Sequence, residues 1–232
     1  MVEFTRKKSG SEESMSSQET VSVRLAEKKL LELPNVAVKN LAYGINLYKN
    51  TISRDHCSSL ILALENELSG SGEFRWDQSE EEQSLRAVLE FPIDKNILDT
   101  GTEQSRGLYN IYSSVFGVIK KCIDDYASSW EIGINHYAPL NFVKYSYPNN
   151  YFGLHIDHGP STVRTVSAIL YLNDNYEGGE LHFPRIDGLN IKPETGDIIV
   201  FPSTYTYQHE SIPLLQGTKY VVLAFTDFEE RK

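Results

Sequence analysis

From Ile132 to the C-terminus the hydrophobic pattern of this chain runs at period two and is broken at short intervals by turn residues. No other feature narrows the fold as far, because alternation at that period means strands, and the spacing of the breaks reads as about six to eight antiparallel strands in a sandwich or barrel. Asp187-Gly188 and Pro193-Glu-Thr-Gly196 are hairpin signals inside the run. Before Ile132 the period changes. Ser53 can cap a helix whose apolar stripe is Cys57, Leu60, Ile61, Leu64 and Leu68, and Ser69-Gly-Ser-Gly ends it. A second helix spans roughly 103–128 on the stripe Leu108, Ile111, Tyr112, Val115, Ile119, Cys122, Ile123 and Tyr126. Its length suggests a buttress laid across a sheet. A strand-like approach at 35–41 leads into 43–48.

At 232 residues the chain fits one domain with extensions. Residues 1–20, rich in Ser, Glu, Gln and Thr, read as a disordered tail, 21–131 as an N-terminal helical support region, and 132–232 as the core. Within the support region, 70–100 carries the acidic run Glu80-Glu-Glu82 without a clear period and reads either as a solvated loop or as a lid over a site. Its Phe74 and Trp76 either offer apolar contact to a substrate ring or pack the segment onto the core. Net charge is −10 and no Lys/Arg stripe interrupts the acidity, which argues against a nucleic-acid partner. Cys57 and Cys122 each sit inside a helical pattern, which argues for a reducing compartment rather than a disulfide framework. The N-terminus has no apolar signal region, and no apolar run approaches the roughly 18 residues of a membrane span. A soluble, cytoplasmic chain without membrane contact is expected.

His155 and Asp157 stand two apart in a segment that reads as a strand, so they point to one face with Cα atoms about 6–7 Å apart. One imidazole and one carboxylate at that spacing can meet on a single metal. His209, in Gln208-His-Glu210, is the third candidate ligand. Two His and one carboxylate leave coordination positions open, the arrangement that suits non-haem Fe(II) oxygen chemistry. Taken alone, His-x-Asp is a weak signal, and a surface His beside an Asp is its commoner explanation. Lys219 shares a strand face with Val221, Leu223 and Phe225, where an ammonium is costly unless an anion pairs with it. The opposite face, Tyr220, Val222 and Ala224, is apolar too. Periodicity therefore leaves open which side is interior, and whether Lys219 snorkels at the strand start instead.

The strand at 165–173 separates more cleanly, with Val166, Ala168, Leu170 and Leu172 on one side and Thr165, Ser167, Ile169, Tyr171 and Asn173 on the other. The aliphatic side suits packing against the helices. The hydroxyl-bearing side then faces solvent or a cavity, and in a cavity it puts Tyr171 and Ser167 near an anion paired with Lys219. His56, His136, His158 and His182 lack ligand spacing and read as structural or exposed. Arg164 either reaches a substrate at the site mouth or makes a surface salt bridge.

From about Tyr145 to Phe228 the chain resembles the catalytic domain of Fe(II)/2-oxoglutarate-dependent dioxygenases, closest to the prolyl 4-hydroxylase-like branch. The marks, in order, are Tyr145, His155-x-Asp157, Ile169-Leu-Tyr-Leu-Asn173, Gly178-Gly-Glu-Leu181, Lys192-Pro-Glu-Thr-Gly-Asp-Ile-Ile-Val-Phe-Pro202, His209 and Lys219. The resemblance implies a mainly β, α+β fold: a double-stranded β-helix (jelly-roll) core with N-terminal helices packed on it. It implies that His155, Asp157 and His209 bind Fe(II), that Lys219 grips the distal carboxylate of 2-oxoglutarate, and that Tyr145 and Tyr171 lie beside this co-substrate. O2 is the second co-substrate, with ascorbate as a reductant. The implied reaction hydroxylates a C–H bond, on prolyl residues of a peptide or protein, while 2-oxoglutarate and O2 become succinate and CO2. Related halogenases lose the carboxylate, so Asp157 favours hydroxylation. A hydroxylase of a free amino acid or other small molecule, and a catalytically inactive metal-binding interaction module, are the alternatives.

Overall fold

The computed structural model describes residues 36–77, 87–94, 100–148, 150–159 and 163–227; the tail expected at 1–20 lies outside them. Both helices form where the apolar stripes place them. In α1 (Arg54–Leu68) the Ser53 side chain accepts from His56 N at 3.2 Å, and Cys57, Leu60, Leu64 and Leu68 are buried. In α2 (Glu103–Ser129) Thr102 accepts from Ser105 N at 3.0 Å. These caps satisfy amide donors that the first turn of a helix leaves unpaired.

The strands are β1 (Ala37–Ala42), β2 (Ile45–Lys49), β3 (Leu89–Ile93), β4 (His136–Tyr137), β5 (Leu140–Ser146), β6 (Phe152–His155), β7 (Arg164–Tyr171), β8 (Glu177–Gly178), β9 (Leu181–Phe183), β10 (Leu189–Ile191), β11 (Ile198–Pro202), β12 (His209–Ser211), β13 (Leu214–Gln216) and β14 (Thr218–Asp227). A large antiparallel sheet runs β1-β2-β11-β7-β14-β5-β3, with β4 on β14, and a smaller one runs β10-β9-β12-β6. The two sheets face each other as a double-stranded β-helix. Both helices pack on the outer face of the large sheet, where Val166, Ala168, Leu170, Tyr220, Val222 and Ala224 join Leu64, Leu108, Val115 and Ile119 in one apolar cluster. A second cluster fills the space between the sheets, with Val143, Ile169, Ile199 and Val221 against Leu181, Phe183 and Ile191. Both faces of β14 are therefore interior, which is why its sequence reads as apolar on both sides.

Several elements depart from the expectations. The period-two region divides into β4 through β14, more and shorter strands than expected, partly because Gly178 and Gly179 at φ +72° and +68° break one run between β8 and β9. Asp187 and Gly188 do close the β9–β10 hairpin. The turn at 193–196 does not close one: β10 and β11 belong to different sheets, so the turn carries the chain from one layer to the other. Besides the helices, the span before residue 131 supplies β1, β2 and β3 to the large sheet. Within 70–100, residues 78–86 and 95–99 are outside the described ones, and with them the Glu80–Glu82 run. Phe74 and Trp76 pack on the helix-side cluster, Phe74 lying 6.0 Å from the Phe91 ring. Of the two alternatives for these rings, contact with a substrate ring or packing onto the core, the structure shows packing.

Candidate active site

His155 on β6 stands directly opposite His209 on β12, and the pairing brings the two ring centroids to 4.4 Å. Strand β6 stops at His155. Asp157 consequently lies past the strand rather than on it, in a segment tied to the large sheet where His158 N donates to Ser203 O at 3.0 Å. It reaches the histidines all the same. Asp157 Oδ1 is 3.5 Å from His155 Nε2, Oδ2 is 3.8 Å from His209 Nε2, and one ligand atom from each of the three residues falls within 4.8 Å of the others. On the far side of each ring, Nδ1 faces a backbone carbonyl, Gly153 O at 2.7 Å and Tyr207 O at 3.0 Å. A carbonyl only accepts, so each Nδ1 holds a proton and each Nε2 is the nitrogen turned toward the centre.

Burial would raise the Asp157 carboxyl pKa, but His209, His155 and the Ser167 hydroxyl outweigh it and hold it at about 2. Burial pushes the His209 imidazole below its usual value despite Asp157 beside it. An ionised carboxylate and neutral imidazoles are the ligating forms. This donor set, three ligands with open positions, fits Fe(II).

The three residues open onto a cavity of about 310 Å³ between the sheets. Tyr145, Tyr171, Ser211 and Lys219 line it, with Leu181 and Val221 among the apolar lining and Arg164 stacked 3.7 Å over the Phe225 ring. Lys219 is 2% exposed, so it does not snorkel. Its Nζ donates to Gly179 O at 2.7 Å and Ser211 Oγ at 2.8 Å, and lies 4.5, 5.5 and 5.9 Å from the rings of Tyr145, Tyr171 and Tyr176. No carboxylate among the described residues is in ion-pair range of it. Burial drives its pKa down to about 7, with Glu180 opposing only in part. Gly179 permits this approach: its φ is positive, and a Cβ there would sit 3.0 Å from Leu214 Cδ1 and 3.3 Å from Lys219 Cδ. Burial, then Tyr176 and Tyr145, raise the Tyr171 phenol well above its usual value, so it stays a neutral hydroxyl.

Of the expected site residues, His155, Asp157, His209, Lys219, Tyr145 and Tyr171 share this cavity. Ser167 does not line it; its hydroxyl donates to Asp157 Oδ2 at 2.6 Å, behind the carboxylate. His158 is exposed with Nδ1 2.8 Å from Arg164 O, and His182 pairs with Glu210 at 2.8 Å. Sequence reasoning missed Ser211, although it stands two after His209 and so shares its strand face. It also missed Ser203, for which no local signal exists.

Residues 140–227 match the family model described as the 2OG-Fe(II) oxygenase superfamily. The matched segment is the one that builds the cavity and carries its three converging ligands. Over 90 residues, 39% of this chain, the sequence is 32% identical to a multifunctional procollagen lysine hydroxylase and glycosyltransferase of Rattus norvegicus, and it spans only 12% of that protein. Two solved structures share the fold. One is a prolyl-4-hydroxylase of Pseudomonas putida, with TM-score 0.59 and 20% identity over 80% of this chain and 93% of that one. The other is a prolyl hydroxylase from Trichoplax adhaerens in complex with a hypoxia inducible factor oxygen degradation domain peptide fragment, with TM-score 0.60 and 19% identity over 93% and 94%.

Proposed function

We propose that this chain is an Fe(II)/2-oxoglutarate-dependent hydroxylase of prolyl residues in a peptide or protein. The observation that carries the reading is the pairing, in one cavity, of three convergent metal ligands with a buried ammonium that has no carboxylate partner among the described residues. A bound Fe(II) supplies the O2 chemistry that breaks an unactivated C–H bond, with 2-oxoglutarate and O2 going to succinate and CO2. His155 Nε2, His209 Nε2 and the Asp157 carboxylate hold the metal. Lys219 fixes the distal carboxylate of the co-substrate, and the Tyr171 hydroxyl offers that dicarboxylate a neutral donor beside Tyr145. The apolar wall at Leu181 and Val221 excludes water, which strengthens each charged contact.

Arg164, stacked on Phe225 at the cavity wall, presents donors that suit a backbone carbonyl of an entering peptide. The prolyl assignment is supported by the fold shared with two prolyl hydroxylases, one of them holding a peptide. Residues 132–232 serve as the catalytic core and the preceding helices as its support. Ascorbate as reductant and a cytoplasmic location belong to the same proposal. The second is supported by two buried free cysteines and by the absence, among the described residues, of any helix long and apolar enough to cross a membrane.

Replacing His155, Asp157 or His209 with Ala should abolish Fe(II)-dependent succinate formation and leave a folded protein. Prolyl peptides, lysyl peptides, free amino acids and oligonucleotides, assayed together for gain of one oxygen and matched succinate release, test the substrate. Coupled turnover with prolyl peptides is expected. Turnover confined to another class would replace the substrate and keep the metal centre.

A further inference from the structure

Ser203, Ser167 and Asp157 form a buried chain of side-chain hydrogen bonds that joins a ligand residue to the floor of the large sheet. Ser167 Oγ lies 2.6 Å from Asp157 Oδ2 and 2.7 Å from Ser203 Oγ. The three residues are 2%, 1% and 7% exposed in the order Ser203, Ser167, Asp157. The order of donation follows from counting protons. An ionised carboxylate only accepts, so Ser167 gives it the single hydroxyl proton, and the Ser167 oxygen must then accept from Ser203. Both serines are placed by backbone pairing: Ser167 sits opposite Phe201 in the β7–β11 register, and Ser203 N donates to Thr165 O at 3.0 Å.

We propose that Ser203 and Ser167 are a positioning relay that holds the Asp157 carboxylate in its metal-ligating orientation, Ser167 acting directly and Ser203 through Ser167. The proposal rests on the metal-centre reading above. His155 and His209 sit on paired strands, and each ring is held from behind by a backbone carbonyl. Asp157 lies past the end of β6, outside its strand pairing, and the Ser167 hydroxyl bonds its carboxylate from behind. A charge-assisted bond at 2.6 Å resists rotation of the carboxylate, and donation from Ser203 polarises it further. The backbone bond from His158 N to Ser203 O anchors the same segment and survives substitution of either serine side chain.

The test is titration of metal-free protein with Co(II) alone, without co-substrate, read by visible absorption, for wild type, Ser167→Ala, Ser203→Ala and the double variant, alongside metal-free melting temperatures. Ser167→Ala should weaken Co(II) binding about 10- to 100-fold, the usual effect of losing an outer partner of a ligand, with little change in the metal-free melt. Ser203→Ala should weaken it by a smaller factor, and the double variant should match Ser167→Ala, since Ser203 acts only through its neighbour. Should Ser167→Ala not fold, Ser203→Ala decides alone. Wild-type affinity in the single variants, additive losses in the double variant, or losses that merely track a lowered metal-free melt would each overturn the relay. A wild type that binds no Co(II) would overturn the metal centre itself, and the relay with it.

Discussion

Lys219 sets the strongest demands on its surroundings of any single residue in the cavity. It is fully buried, its pKa falls to about 7 from the ordinary 10.5, and its two side-chain contacts are neutral acceptors. In the ligand-free protein the unfolded chain binds more protons between those two values, so the cost of burying this group is complete below about pH 7 and is relieved as pH rises toward 10.5. A dicarboxylate needs the charged form. The affinity for 2-oxoglutarate should therefore fall as pH rises above about 7, by up to about tenfold per unit, and calorimetric titration across this range checks it. Lys219→Ala should raise the dissociation constant at least about a hundredfold and abolish the pH dependence, because loss of a charge-assisted pair in a dry pocket costs about 3–5 kcal/mol. A flat profile in the wild type, or unchanged binding in the variant, would remove Lys219 from the co-substrate site.

At the scale of elements, function and stability sit on opposite faces of the same strands. Alternate residues of β7 and β14 go to the helix layer and to the space between the sheets, so α2 supports the large sheet without touching the cavity. Ile119→Ala in α2 should therefore cost about 2–5 kcal/mol of stability, by the cavity it leaves, and keep 2-oxoglutarate affinity within about twofold. Ser53→Ala should cost about 1 kcal/mol through loss of the α1 cap. Chemical denaturation combined with co-substrate titration separates the two effects. A large loss of affinity in Ile119→Ala would mean that the helix layer shapes the cavity after all. Both helices were legible from the sequence because their stripes repeat at helical spacing and their caps are local. The division of the C-terminal region was less so, since the glycines that break a strand also occur in turns.

For the whole molecule, both apolar clusters are built from side chains of the strands and helices, and the His155 and His209 rings join the second through direct packing on Phe152, Phe183 and Phe201 that needs no metal. Chelation of divalent metal should therefore leave the secondary structure unchanged and lower stability only by mass action, about 2.7 kcal/mol when metal had been present at a hundredfold its dissociation constant. Circular dichroism with and without chelator measures this. Unfolding on chelation would make the metal part of the fold.

The motif resemblance named the candidate ligands His155, Asp157 and His209, whereas period, capping and spacing along the chain determined the two helices, the strand-rich core and the two faces of the strand at 165–173. These are local properties, set by which side chains recur at 2 or 3.6 residues. Three matters were settled only by tertiary structure. Lys219 lies on a strand with two apolar faces, and its inward direction became definite only when helices covered one face and the second sheet covered the other. Asp157 reaches the histidines from beyond the strand end, where period no longer fixes direction. Ser167 turned out to stand behind Asp157 rather than in the cavity, with Ser203 behind it, because β7 and β11 are neighbours in the sheet though far apart in sequence. Long-range pairing depends on how whole layers stack, and no local pattern carries that information.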